Sequence, residues 1–385
     1  TMAITDKEQG VWSLDEVYNK INQGGIWSYT SQPGLYVWGR NSYQEGALGQ
    51  NNTTDYSSPV QMGGEGWNSV ANSTSGGIAT KTDGTLWSWG YANSGALGLN
   101  QGGAVKISSP TQIGTGTDWA KAHFVDESIS MATKTNGTLW SMGNNGRGAI
   151  GDNTNISRSS PTQCGTNTTW GNATINGGDG QVVALKSDGS LWSWGYGQSG
   201  VLGLNQSPGP TGSPKISSPT QVPGTWSHLG SGYYNTYAMK TDGTLWGWGA
   251  NGYTTFQTGN NTSYSSPIQI GTDTDWGGPV AGYRYGVVAI KANGKLYGWG
   301  EQDNGDRAGC LGQNTIADVP APTLIGTETT WHDITIATSG GVQGLKTDGT
   351  LWTWGGNLNG TLGLSTPVPS GALSSPTQLP GLWNA

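Results

Sequence analysis

Apolar and polar positions alternate with period two in short stretches, and the same stretch keeps returning. In KTDGTLWSWG (81–90) the pair Asp83-Gly84 separates two alternating runs. This predicts a β-hairpin, because both central residues of such a turn take positive φ. Alternation then puts Trp87 and Trp89 on one face, with Leu86, Ser88 and Gly90 on the other. One face should pack rings while the other lies close to a neighbouring backbone. The hairpin recurs as KTNGTLW (134–140), KSDGSLW (186–192), KTDGTLW (240–246), KANGKLY (291–297) and KTDGTLW (346–352). None of these stretches carries a helical period.

Three landmarks repeat together. The strand end appears as LYVWG (35–39), LWSWG (86–90), LWSMG (139–143), LWSWG (191–195), LWGWG (245–249), LYGWG (296–300) and LWTWG (351–355), with final glycines 51, 53, 52, 54, 51 and 55 residues apart. A proline stretch follows each: SSPVQ (57–61), SSPTQ (108–112, 159–163, 217–221 and 374–378), SSPIQ (265–269) and the departure PAPTL (320–324). Each proline stretch precedes a Trp, at 67, 119, 170, 226, 276, 331 and 383. A unit of three or four short strands cannot bury both its faces alone, so it must stack on its neighbours. Radial stacking shelters the strand edges and predicts an all-β, seven-bladed β-propeller over residues 25–385.

The first unit lacks the Lys-x-Asp-Gly element, but GIWSYTSQPGLYVWG (25–39) lies alongside GIATKTDGTLWSWG (77–90). The chain stops just after Trp383, where an eighth unit would start. Pairing of the C-terminal strand containing Trp383 with the stretch Ile26 to Thr30 is therefore expected to close the ring. Residues 1–24 differ in kind. Ser13-Leu14-Asp15-Glu16 is a capping box, and Leu14, Val17, Tyr18 and Ile21 form one stripe of a short helix that Gly24-Gly25 would end. With Trp12, that stripe is a candidate partner-docking surface on an N-terminal arm.

Composition narrows the functions. Gly supplies 67 of 385 residues, about 17% against a usual ~7%, which demands many tight turns. Aromatics at 10% argue against disorder. Charged residues make up only 11%, and the net charge is -7. Without a basic tract, nucleic-acid binding loses its main electrostatic contribution. No run approaches the roughly 18 apolar residues that span a bilayer, so no membrane insertion is expected. Cys164 and Cys310 are too few and too far apart for a disulfide framework or a zinc site, and no cofactor is implied.

The repeats resemble the regulator of chromosome condensation repeat family, whose units carry a Trp-Gly strand end, a Gly-x-Leu-Gly loop and an extended Pro-Gln stretch. Here the loop reads GALG (46–49 and 95–98), GAIG (148–151), GVLG (200–203) and GTLG (360–363). It departs at GYTTFQTG (252–259) and at AGCLG (308–312), which follows the insertion DNGDR. The resemblance implies the propeller fold. It does not by itself carry over the family's nucleotide-exchange role, since fold alone does not transmit function. Other family members serve as scaffolds and inhibitors, with the propeller as a display platform. A second resemblance covers EQGVWSLDEVYNKINQGGIW (8–27), which looks like a segment of tailed-bacteriophage structural proteins.

Candidate chemistry is sparse. His123, His228 and His332 are the only histidines, each near a unit-starting Trp, and read as ordinary loop or inter-blade residues rather than catalytic bases. Asp303, Asn304 and Asp306 would suit calcium, but the spacing is not that of an EF-hand and an Asx-rich turn is the plainer reading. A carbohydrate-active enzyme would need paired carboxylates, and the adjacent Asp126 and Glu127 point to opposite sides if extended. No enzyme is expected.

The better signal lies six to eight residues before the hairpin Lys, where the otherwise regular units disagree. These turns should share one face of the ring, with Asp126 and Glu127 on one arc and Tyr233, Tyr234, Tyr283, Arg284 and Tyr285 on another. Tyr and Arg are typical of binding hot spots, so these seven residues form the candidate ligand-binding site. The leading expectation is a non-enzymatic virion structural protein of a tailed phage, assembled in the host cytoplasm. Its arm would dock on other virion proteins, and its propeller would be displayed for a host-surface glycan or protein receptor, or as decoration. The alternative is a free propeller binding a protein partner, as an inhibitor or exchange factor does.

Overall fold

The computed structural model describes residues 34–41, 46–92, 94–206, 212–252, 255–283, 286–302, 308–337, 340–365 and 371–383. The chain is all-β. The described residues open with a two-stranded sheet, β1 (Tyr36–Gly39) and β2 (Tyr56–Gln61), and continue as six four-stranded antiparallel blades. Blade 1 holds β3 (Trp67–Asn72), β4 (Gly76–Lys81), β5 (Leu86–Ala92) and β6 (Val105–Gln112). Blade 2 holds β7 (Trp119–Asp126), β8 (Ile129–Lys134), β9 (Leu139–Gly143) and β10 (Arg158–Gln163). Blade 3 holds β11 (Thr174–Gly178), β12 (Gln181–Leu185), β13 (Leu191–Tyr196) and β14 (Lys215–Val222). Blade 4 holds β15 (Trp226–Ser231), β16 (Asn235–Lys240), β17 (Leu245–Gly249) and β18 (Tyr264–Gln269). Blade 5 holds β19 (Trp276–Gly282), β20 (Gly286–Lys291), β21 (Leu296–Gly300) and β22 (Val319–Leu324), and blade 6 holds β23 (Trp331–Ile336), β24 (Gly341–Lys346), β25 (Leu351–Gly355) and β26 (Leu373–Gln378).

The first strand of each blade touches the first strand of the next, so β3, β7, β11, β15, β19 and β23 line the centre. The proline-bearing strands form the outer rim. The hairpins pair in the predicted register, with Ala79 opposite Trp87 and Thr80 opposite Leu86. Trp89 and Leu86, on opposite faces of β5, are both buried, because each blade is covered on both sides by its neighbours.

The expected seven complete blades are corrected to six. Sequence landmarks count repeats rather than strands, and the first unit supplies only its outer pair, β1 and β2, among the described residues. That pair still sits between blade 6 and blade 1. The Trp38 indole donates to the Thr361 carbonyl at 3.0 Å, and the Trp89 indole donates to Ala47 at 3.1 Å. Trp383 lies 5.5 Å from the Tyr36 ring and 6.0 Å from Trp38, as Trp67 lies against Trp87 and Trp89. Ile26 to Thr30, its expected strand partner, lie outside the described residues. There is no α-helix among the described residues, and the arm at 1–24, with Trp12, Leu14, Val17, Tyr18 and Ile21, falls outside them.

One latch joins each unit to the next. The strand-end Trp donates its indole N–H to a carbonyl of the preceding unit's Gly-x-Leu-Gly loop or of the stretch that replaces it: Trp194 to Ala149 at 2.9 Å, Trp248 to Val201 at 2.9 Å, Trp299 to Thr255 at 2.8 Å and Trp354 to Cys310 at 3.0 Å. Met142 stands at this place in blade 2 and has no donor. The Ala96 carbonyl is served instead by the Ser130 hydroxyl at 2.5 Å. Ser130→Ala would leave a buried carbonyl without its donor, which costs about 1–3 kcal/mol. Urea unfolding should show this loss, against less than ~0.5 kcal/mol for Thr166→Ala, an exposed control.

Candidate functional site

The two faces of the ring differ in kind. The hairpin face is repetitive. Each hairpin Lys lies over two rings, as Lys81 does over Trp67 at 4.7 Å and Trp87 at 4.6 Å, and Lys346 over Trp331 at 4.7 Å and Trp352 at 3.8 Å. Beside it runs a short relay. The Trp87 indole donates to Thr85 Oγ1 at 2.7 Å, and Thr85 donates its hydroxyl (2.6 Å) and its amide (3.0 Å) to Asp83 Oδ1. The relay recurs at Asp188, Asp242 and Asp348, with Asn136 in its place in blade 2. With the lysines repeated in all six blades and the relay in five, this face reads as scaffold.

The opposite face carries the turns that vary, and it places the candidate residues unequally. Asp126 is spent internally. Its Oδ1 accepts from the Ser128 amide and hydroxyl, both at 2.8 Å, and its Oδ2 accepts from the Gly180 amide of the next blade at 2.7 Å. Glu127 is exposed and accepts from the Thr74 hydroxyl of blade 1. Tyr233, 42% exposed, stands edge-on to Tyr234 with ring centroids 4.5 Å apart. Partial burial raises the Tyr233 phenol, and the nearby Asp179 carboxylate, Tyr234 and Glu127 add to the rise. Asp179 itself accepts from Arg147, whose guanidinium lies 4.5 Å above the Tyr196 ring.

Tyr283 lies inside, only 4% exposed. Its hydroxyl donates to the Glu301 carbonyl and accepts from the Cys310 thiol at 2.9 Å. Burial first, then Cys310, raises its phenol. It tethers the turn to its blade's loop and offers nothing to solvent. Arg284 and Tyr285 lie outside the described residues, as do Asp303, Asn304 and Asp306. The structure therefore brings together Glu127, Asp179, Tyr233 and Tyr234, with Asp126 as a staple beneath them.

No catalytic constellation forms from the histidines, which stand on three separate inner strands, β7, β15 and β23. Burial, with the Lys121 charge second, pushes the His123 imidazole down to about 4, and its Nε2 has no hydrogen-bond partner among the described residues. His228 is also lowered by burial, and its Nδ1 lies 3.1 Å from Ser227 Oγ. Among the described residues no three His, Cys, Asp or Glu side chains gather to hold a metal. Both cysteines are buried, and burial pushes the Cys164 thiol up to about 12.

Sequence reasoning missed one repeated loop staple. Two residues after the strand-end glycine, Asn41, Asn145 and Asn251 donate their side-chain amides to Asn52, Thr154 and Asn260 carbonyls at 2.8, 2.9 and 2.8 Å, while their carbonyls accept from Leu48, Ile150 and Phe256 amides. Gln302 takes the same place in blade 5 and reaches Thr315 and Ala317. A Gly-x-Asn spacing was the available signal.

Residues 188–239 match the family model of the Regulator of chromosome condensation (RCC1) repeat. The chain is 26% identical over 303 residues to the Arabidopsis thaliana protein "RCC1 domain-containing protein RUG3, mitochondrial", covering 73% of this chain and 64% of that protein. It is 26% identical over 309 residues to the "Ultraviolet-B receptor UVR8" of Arabidopsis thaliana, covering 77% of this chain and 66% of that protein. Among solved structures, human WBSCR16 aligns with a TM-score of 0.75 at 20% identity, covering 91% of this chain and 96% of that one. Prp20p of Saccharomyces cerevisiae aligns at 0.74 and 18% identity, covering 91% and 87%. These structures share the propeller fold, and the chain spans somewhat under two thirds of the first of these relatives.

The relay sets an acid response. Hydrogen bonds from Thr85, Ser190, Thr244 and Thr350 hold Asp83, Asp188, Asp242 and Asp348 below the usual carboxylate value near 3.8. A carboxyl depressed on folding contributes stability that is complete above its unfolded value and is lost as pH falls through the folded one. The melting temperature should hold between pH 7 and about 5 and fall below about 4. Replacing all four by Asn, as blade 2 already has at Asn136, should flatten that decline in a thermal-melt series.

Proposed function

We propose that the chain is a non-enzymatic binding propeller that docks a protein partner on its variable-turn face, through Tyr233, Tyr234 and Glu127. The observation that carries this reading is a contrast. The hairpin face repeats one arrangement blade after blade, while the turn face places exposed Tyr233, with half-buried Tyr234 edge-on to it, beside Glu127 and Asp179 at one place. Rigid aromatic area with a polar tip is the usual anchor of a protein interface. The exposed Glu127 carboxylate beside it, with Asp179 already paired to Arg147, favours a partner segment bearing Lys or Arg. Prp20p, which shares the fold, is described with its binding to Gsp1p and histones, which lends support to a protein-binding role.

The phage-particle reading rests on residues 8–27, which lie outside the described residues, and no comparison adds to it. Partner binding by a free propeller is the better supported of the two. The test is cross-linking mass spectrometry on the tagged chain in an extract of its source cells. We expect cross-links to one stoichiometric partner clustered around Tyr233 and Glu127, and a combined Tyr233→Ala, Tyr234→Ala variant should weaken that complex by about 2 kcal/mol, some thirtyfold. Cross-links confined to the hairpin face, or a complex indifferent to both substitutions, would overturn the assignment.

A further inference from the structure

The outer rim holds a feature that the tyrosine face does not involve. At each described junction but one, the residue just after the loop carries positive φ and donates its amide to the first Ser of the next unit's proline strand, as Asn100 does to Ser159 at 2.7 Å and Asn314 to Ser374 at 2.6 Å. At three junctions the second Ser then closes on the side chain of that residue: Ser160 on Asn100 at 3.3 Å, Ser266 on Asn205 at 3.2 Å, and Ser58 on Ser365 at 2.7 Å. In all three the preceding residue is Leu, namely Leu99, Leu204 and Leu364, and Leu99 and Leu204 pack onto the cores of their junctions.

The other three junctions carry a polar residue there, and none of them makes the second bond among the described residues. At one, Asp152 is taken by Arg158 at 2.6 Å. At another, Gln50 donates to the Gln61 carbonyl at 3.2 Å, and the strand-opening Trp67 is preceded three residues earlier by Gly64. The third, between blades 5 and 6, opens into a groove of about 330 Å³ whose walls include Gln313, Asn314, Glu328, Trp352, Ser375 and Pro376. It alone places Glu328 where its counterpart has Gly64.

We propose that this groove binds a neutral saccharide unit. Trp352 is half-buried, and its orientation is fixed by its indole bond to Thr350 at 2.9 Å and by Lys346 above its ring. Lys346 also holds Glu328 at 3.6 Å beside it. With Lys346 over one face of its ring, Trp352 contributes an apolar wall of the groove against which the C–H groups of a sugar can pack. The Gln313 amide nitrogen is committed to the Thr323 carbonyl at 2.7 Å, which leaves its oxygen as an acceptor. The side-chain amide of Asn314 and the hydroxyl of Ser375 make no hydrogen bond among the described residues. Carboxylate and amide oxygens accept from sugar hydroxyls, and amide N–H groups donate to them. The Glu328 carboxylate in the wall works against an anionic ligand.

The experiment is saturation-transfer difference NMR on the full chain with the methyl glycosides of glucose, galactose, mannose and N-acetylglucosamine, followed by titration of any that respond. Saturation transfer to at least one glycoside is expected. Gln313→Leu restores the residue found at the three closed junctions and should weaken binding by about tenfold or more while leaving the melting temperature unchanged or raised, and Ser375→Ala should weaken it too. Tyr233→Ala should leave glycoside binding untouched, which separates this site from the protein-docking face. No transfer to any of the four glycosides, transfer undiminished in Gln313→Leu, or loss on Tyr233→Ala would each overturn the proposal.

Discussion

All but one of the junctions depend on how closely a glycine of one unit can approach the outer strand of the next. At Gly95 a Cβ would sit 2.5 Å from the Ser159 Cα, and at Gly200 it would sit 2.5 Å from the Ser265 Cα, with positive φ at both. Only Gly satisfies both conditions. That approach brings the loop carbonyl under the neighbouring indole and the following amide onto the serine carbonyl, so one steric allowance makes two hydrogen bonds possible. The blade cores are then sealed on both sides. Leu86 faces the junction with blade 2 while Trp89 faces the two-stranded sheet, and both are essentially without solvent.

Such a framework explains why function is confined to what the framework leaves free. The hairpin face is occupied by its own chemistry: lysines lie over indoles, and threonines bridge indole to carboxylate. The turns between first and second strands contribute less to the junctions, so side chains there can vary without loosening the ring. Tyr233 and Glu127 vary in this way. Asp126 and Tyr283 occupy the same turns yet work inward, one across to Gly180 and the other down to Glu301 and Cys310.

How much of this was legible in the sequence depends on the range of the interaction. The hairpins were, because Asp83-Gly84 and its counterparts set local backbone angles, and so was the stacking, because a unit with two apolar faces has no other way to bury them. The count of complete blades was not, since LYVWG and SSPVQ mark a unit whether or not its inner strands accompany it. The inward turn of Tyr283 was equally hidden. Nothing beside it in sequence distinguishes it from Tyr233, and what draws it inside is a carbonyl and a thiol 18 and 27 residues away. The Ser130 repair of the missing indole at Met142 is legible only once the strands are in register.

The meeting of the last unit with the first has a mechanical meaning. Ser365 donates to the Ser57 carbonyl at 2.8 Å, and Trp383 stands against Tyr36 and Trp38. An open stack of repeats can fray from either end, one unit at a time, because each terminal unit has a single neighbour. Here the two terminal units are neighbours of each other, so no unit can peel away without parting two junctions at once. Cooperativity is thereby imposed by topology, with Trp383 of the last unit against Tyr36 and Trp38 of the first as the closing contact.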